Sequence, residues 1–405
     1  MKGVLAALAL AMAGAAPFGA RAADVRGYLD CRLVAHAQER SWVDGGLGKT
    51  RFGSGGTSSG CMQAGLVIAA QPLPSLLAVA DLQAQTSGRD ELVLLEAYLR
   101  WRPVSITPWR WSLKAGAFFP PVSLENDAIG WTSPWTLSSS AINAWIGEEF
   151  RTVGGEARLE WRGVGQSVEA VAALLRSNDP AGELLAARGW SIGDLVAGFG
   201  SDLREPDAYA RDDGHEPPLR FNPFLENDGR PGWYAGLDWR AAGRGRIALL
   251  RYDNEADPST HSRGAEPVYS WRTDFWSLGG ELEAGSWVLL GQAMSGSTEL
   301  APSPHYHTWT DFRAAYLLAG WNRGKWRPAF RIDAFSTKQL PRDLDERTRE
   351  HGHALTFALN WRPLDWLRLT AELLRVDSWR NQREADGDPA HRVDYQVQLG
   401  ARVMF

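Results

Sequence analysis

The chain has 405 residues, a formal net charge of -5, 20 Trp, 42 Gly and two cysteines, and most of its positive charge is arginine. So mildly acidic a chain has no electrostatic footprint for nucleic acid. After residue 22 no apolar run approaches the roughly 18 to 20 residues of a spanning helix, which excludes a helical membrane protein, and the Trp and Gly content fits a β-rich chain.

At the amino terminus Lys2 precedes an apolar run from Val4 to about Ala16 and the small-residue exit Ala20-Arg21-Ala22. These are the three parts of a secretory signal peptide, so 1–22 is expected to be removed and 23–405 to form one domain. Removal takes away Lys2 and Arg21 and moves the formal charge from -5 to -7.

From there, apolar and polar residues alternate with period two in sixteen segments of about ten residues, the length of a tilted membrane strand. They are 25–36, 62–70, 75–85, 91–102, 109–119, 151–162, 165–175, 232–240, 245–253, 271–283, 286–295, 310–320, 325–335, 352–362, 365–377 and 392–405. Short turns alternate with long connections: 37–61, 120–150, 176–231, 254–270, 296–309, 336–351 and 378–391, with one brief turn at Thr86–Asp90. Tight turns at one rim and long loops at the other predict an antiparallel outer-membrane β-barrel. Gly189–Gly200 has a local strand pattern, but counting it would make the total odd, so 176–231 is read as one large loop, a candidate to fold into the lumen.

A repeat marks the short-turn rim. Leu99-Arg100-Trp101-Arg102, Leu159-Glu160-Trp161-Arg162, Leu237-Asp238-Trp239-Arg240 and Leu359-Asn360-Trp361-Arg362 all run into short turns, with Trp109, Trp321, Trp326 and Trp366 beside them. Trp prefers a membrane interface, where its ring and its N–H are both accommodated, so this is the expected periplasmic girdle.

The opposite parity points inward and is charged. The residues expected to line a pore are Arg100, Arg102, Arg110, Lys114, Glu156, Arg158, Arg162, Arg327, Arg331, Arg368, Glu372 and Arg402. Sixteen strands leave an aqueous channel, and so many charges need water or partners across the wall. Cys31 lies on the apolar parity and Cys61 shares parity with Gln63, so a bridge is awkward unless Cys61 lies in the preceding loop; the pairing stays open.

Enzymatic patterns are thin. Gly53–Thr57 is a Gly/Ser loop without the strand-to-helix context of a nucleophile, and His305, His307, His351 and His353 lack ligand partners at defined spacing. No catalytic residue, metal or cofactor is expected.

The last stretch, Asp394–Phe405, alternates without a breaker to a terminal aromatic residue. It resembles the closing strand of bacterial outer-membrane barrels, which implies that Phe405 is a signal for the barrel assembly machinery. Glu96–Pro103 followed by Leu113–Glu125, with Phe119-Pro120-Pro121 and Ser123-Leu124-Glu125, resembles the phosphate-selective porin O and P family. That resemblance implies that 120–150 is a constriction loop. Its residues, however, include Glu125, Asp127, Glu148 and Glu149 and no basic residue before Arg151, which speaks against phosphate selectivity. Trp131, Trp135 and Trp145 either stack on a sugar-like solute or tie the loop to the wall.

The sequence thus predicts an outer-membrane channel of a Gram-negative bacterium for passive diffusion of small hydrophilic solutes, held in lipid, with a homotrimer left open by analogy with other sixteen-stranded porins. The alternatives are a plugged barrel with an envelope assembly, adhesion or structural role, and an enzyme sited on the outer loops.

Overall fold

The computed structural model describes residues 23–86, 90–212, 216–264, 266–340 and 348–405; the expected signal peptide lies outside them. Among these, sixteen antiparallel strands close into a barrel. In chain order they are β1 (Asp24–Ala35), β2 (Thr57–Leu73), β3 (Leu76–Thr86), β4 (Asp90–Trp101), β5 (Trp109–Phe118), β6 (Thr152–Gly163), β7 (Gln166–Arg176), β8 (Gly232–Ala241), β9 (Gly245–Asp253), β10 (Arg272–Ala284), β11 (Trp287–Ser303), β12 (Tyr306–Trp321), β13 (Trp326–Gln339), β14 (Arg349–Leu364), β15 (Leu367–Arg380) and β16 (His391–Met404). Each strand pairs with its sequence neighbours, and β16 closes on β1 with Leu399 opposite Leu33.

The wall is inverted relative to a soluble protein. In β16, Asp394, Gln396, Gln398 and Arg402 are buried, whereas Val393, Tyr395, Val397, Leu399 and Val403 are exposed. Such a belt is stable only against lipid, and strand closure satisfies every ladder without an edge. At the short-turn rim the belt ends in tryptophan. Trp287 stacks on Trp321 with centroids 5.6 Å apart, Trp326 stacks on Trp361 at 5.5 Å, and Trp109 faces Trp161 across β5 and β6.

Several expected boundaries move. Residues 296–309 are not a long loop: β11 runs to Ser303 and β12 starts at Tyr306, leaving a tight turn, because polar outward residues such as Ser295, Ser297 and Glu299 continue the ladder above the apolar belt. Gly189–Gly200 adds no barrel strand and is buried almost throughout. The start of β2 at Thr57 resolves the cysteines. A bulge lets Asp30 face Gln63 while Cys31 faces Cys61, so Met62 is the extra residue. One inserted residue flips side-chain parity, which brings Cys61 to the face of Cys31, and the two form a disulfide.

The barrel interior is filled by chain. Residues 135–152, which contain helix α1 (Ala141–Glu149), and residues 178–198, which contain α2 (Glu183–Arg188), are buried without exception. Ser140 caps α1 by accepting from the Asn143 amide. Trp145 on α1 packs edge-on against Phe150, Trp190 and Phe312, with centroids 4.6, 5.5 and 4.8 Å away. Inward-facing Tyr252 and Phe275 of the wall stack at 5.0 Å and complete this aromatic core.

Candidate functional site in the barrel lumen

The segment 119–151 leaves β5 at the Pro120-Pro121 pair and is fastened to inward side chains of seven strands. Glu96 of β4 accepts from the Phe119 amide at 2.9 Å. On β3, Asp81 accepts from the Gly130 amide and Gln83 donates to the Gly130 carbonyl, at 3.2 and 2.8 Å. Gln292 of β11 donates to the Val122 carbonyl, and Asn360 of β14 to the Trp135 carbonyl. Glu372 of β15 accepts from the amides of Leu137 and Ser138, and Arg402 of β16 donates to the Thr132 hydroxyl.

Arg331 of β13 is the hub. Its guanidinium meets Glu125 of the loop at 2.5 Å and Asp333 at 2.8 Å, and donates to the Ser138 and Ser139 carbonyls. Asp333 in turn accepts from the Ala141 amide at 3.1 Å, a carboxylate at the start of α1 where the helix dipole favours it. Each charge here is buried with partners for most of its lone pairs and protons, the condition under which buried ion pairs are tolerated.

Packing completes the fastening. Trp135 lies over Gly320 of β12, where an added Cβ would approach its ring to 2.3 Å. Trp131 adopts φ +57, uncommon for an aromatic residue, and is held there by stacking on Phe119 at 3.9 Å and by donating from Nε1 to the Asn143 carbonyl. Asp127, by contrast, is exposed.

Glu148 and Glu149 face the second inserted segment. Glu148 pairs with Arg188 and accepts from Ser191. Glu149 accepts from the Gly182 and Leu184 amides and from the Trp145 indole, and burial pushes its carboxyl up to about 7. Beyond α2, Glu350 of β14 binds Lys49 and Arg380, each at 2.9 Å, and Arg380 donates to the Ala187 carbonyl. Asp194 joins Arg32 and Arg51 at 2.7 and 3.1 Å.

The short-turn mouth is more open. Arg100, Arg102, Arg110, Arg158 and Arg162 line a cavity of about 390 Å³ there, with Glu160 and Glu169 among them. Arg158 pairs with Glu156 and Glu169, and Arg162 with Glu160. Lys114 lies deeper, buried against Glu156 at 3.2 Å, and Tyr234 donates to the same carboxylate. Arg327 and Arg368 lie near the short-turn ends of β13 and β15, Arg327 half-buried and Arg368 buried.

Of the sequence-derived pore residues, then, Arg331, Arg368, Arg402 and Glu372 bond directly to the inserted segment, and Arg100, Arg102, Arg110, Arg158 and Arg162 line the mouth cavity. The histidine pairs stay apart, at the rims of β12 and β14 with β13 between them. Sequence reasoning passed over Gln83, Gln292, Asn360, Lys49 and Glu350, while Asp333 had the inward parity of a pore residue. Inward parity marks the wall residues among them, but nothing in a one-dimensional pattern tells a wall residue that meets water from one that meets a loop.

No family model matches the chain, and no curated protein matches it. Solved structures do. OmpT of Vibrio cholerae, in a trimer form, is 10% identical, with 95% of this chain and 99% of that chain covered at a TM-score of 0.51. The outer membrane channel DcaP of Acinetobacter baumannii is 11% identical over 95% and 97%, at 0.54. An anion-selective porin from Comamonas acidovorans is 11% identical over 95% and 99%, at 0.50. At such identities the likeness is one of fold: with the inverted wall, this chain is a sixteen-stranded, lipid-facing barrel with the fold of those porins.

Proposed function

We propose that the chain is an outer-membrane channel for passive diffusion of small hydrophilic solutes, without enzymatic activity or cofactor. The observation that carries this reading is the charged cavity at the short-turn mouth, where Arg100, Arg102 and Arg110 face water inside a closed barrel. The two inserted segments narrow the passage, so small conductance steps and a modest anion preference are expected. The resemblance of Glu96–Glu125 to the phosphate-selective porin O and P family supports an inward-folding loop; the acidic loop composition argues against phosphate as the solute. A homotrimer, as in the OmpT form above, and recognition of Phe405 by the assembly machinery belong to the same proposal.

The unbroken burial of residues 178–198 favours a second reading, a plugged barrel with an assembly, adhesion or structural role in the envelope. Planar-bilayer recordings separate the two. Discrete steps from the intact protein support the channel. A silent intact protein whose variant with 178–230 replaced by a short Gly-Ser linker conducts supports the plug. Turnover of a lipid or glycan substrate that is lost on mutating His305 or His351 would displace both.

A further inference from the structure

Arginines at the short-turn mouth differ in what neutralises them. Arg158 and Arg162 have carboxylates at 2.7 to 3.0 Å, and Arg402 is held by Asp30 at 2.7 Å. Arg327, Arg362 and Arg368, on the adjacent strands β13, β14 and β15, form no ion pair among the described residues.

Arg368 is the most constrained of the three. It is 3% exposed and stands directly opposite Arg402 in the β15–β16 register. Its Nη1 donates to the Ser133 carbonyl at 3.3 Å, while Nε and Nη2 have no hydrogen-bond partner. Arg362 follows the Trp361–Leu369 pair, which brings it beside Arg368, and its Nε is likewise buried without a partner. Arg327 faces Asn360 one strand away, with its guanidinium 6.0 Å from the ring of Trp135. Like charges on neighbouring strands repel, and a buried guanidinium with open donors is strongly unfavourable unless an acceptor of opposite charge joins it.

We propose that Arg327, Arg362 and Arg368 form a binding site for a small oxyanion at the short-turn mouth. The free Nε and Nη2 of Arg368 present the planar fork that binds two oxygens of one anion, and Nε of Arg362 supplies a further donor. The anion would lie beside Ser133 and Trp135, linking the inserted segment to β13–β15. This site stands whether or not the barrel conducts, since it requires only access from the mouth.

Inorganic sulfate is the probe. Calorimetric titration of the full-length, detergent-solubilised barrel is expected to show saturable sulfate binding, weakened at least tenfold in R368Q and severalfold in R362Q and R327Q. R349Q, at the opposite rim, should bind as the parent does and controls for general salt effects. R362Q and R327Q alter half-buried side chains, so they carry the test if R368Q does not fold, with heat-dependent gel mobility reporting the folded barrel. Absence of saturable binding in the parent, or unchanged affinity in the folded R362Q and R327Q variants, overturns the proposal.

Discussion

The two sides of the inner wall hold the same inserted chain by different means. On β13–β16 the inward residues are Arg331, Asp333, Asn360, Glu372 and Arg402, and they grip the 119–151 segment through directional hydrogen bonds and ion pairs. On β8–β12 the inward residues include Tyr234, Tyr252, Phe275 and Phe312, part of the buried aromatic and aliphatic core that encloses Trp145 and Phe150. The polar side fixes register, since each carboxylate meets specific donors at fixed positions of the segment. The aromatic side supplies area burial, which is tolerant of register and proportional to contact. A plug held both ways is positioned by one wall and stabilised by the other.

The sharpest way to break this contrast is at the hub. Arg331→Ala strands Glu125 and Asp333 without their shared cation, and truncating one partner of a buried network typically costs about 3–5 kcal/mol. The expected outcome is a lower unfolding midpoint together with loss of hydrogen-exchange protection over 124–141. Trp145→Ala attacks the other wall and is expected to cost about 3 kcal/mol through the cavity it leaves. Its loss of protection should centre on α1, Phe150 and Trp190, while the amides of Leu137 and Ser138 stay protected. If both variants release the same residues, the two walls are not distinct.

A smaller, pH-dependent effect comes from Glu149. Burial raises its carboxyl from 4.5 to about 7, so the folded state holds a proton that the unfolded chain has released between those values. Its contribution is therefore fully present below about 4.5 and is lost as pH rises through about 7. Exchange at the Gly182 and Leu184 amides, corrected for intrinsic rates, should accelerate over that window. In Glu149→Gln the dependence should flatten. Least affected of all should be the finished barrel after deletion of Phe405: membrane insertion is expected to fall several-fold while the unfolding midpoint of the molecules that insert barely moves. Normal assembly of the truncated chain would remove Phe405 from the signal.

Much of the wall was legible because alternation is enforced at every position: an outward residue meets lipid and an inward one does not. The strand count, the rim tryptophans and the closing strand all follow from that single rule. Where the rule bends, reading failed. The bulge at Met62 reset the phase and hid the Cys31–Cys61 bond. Polar outward residues above the lipid belt made the β11–β12 hairpin look like a loop. Tyr252, Phe275 and Phe312 break the polar inward pattern, and the break was itself the signal that something other than water fills that side. The arginine partners of Glu125 and Glu148 lie 206 and 40 residues away, and the Gly182 and Leu184 amides bound by Glu149 lie 33 and 35 away, beyond any local period.

Phe405 ends the chain against its beginning. Its amide and carbonyl pair with Gly27, and its ring takes the space that a side chain at Gly27 would fill. The seam between β1 and β16 is therefore the wall contact of greatest sequence separation among the described residues. Without β16 this barrel does not close. Until that seam forms, β1 and β16 each present an unpaired edge open to pairing with another chain, and the long loop between them makes its closure slow.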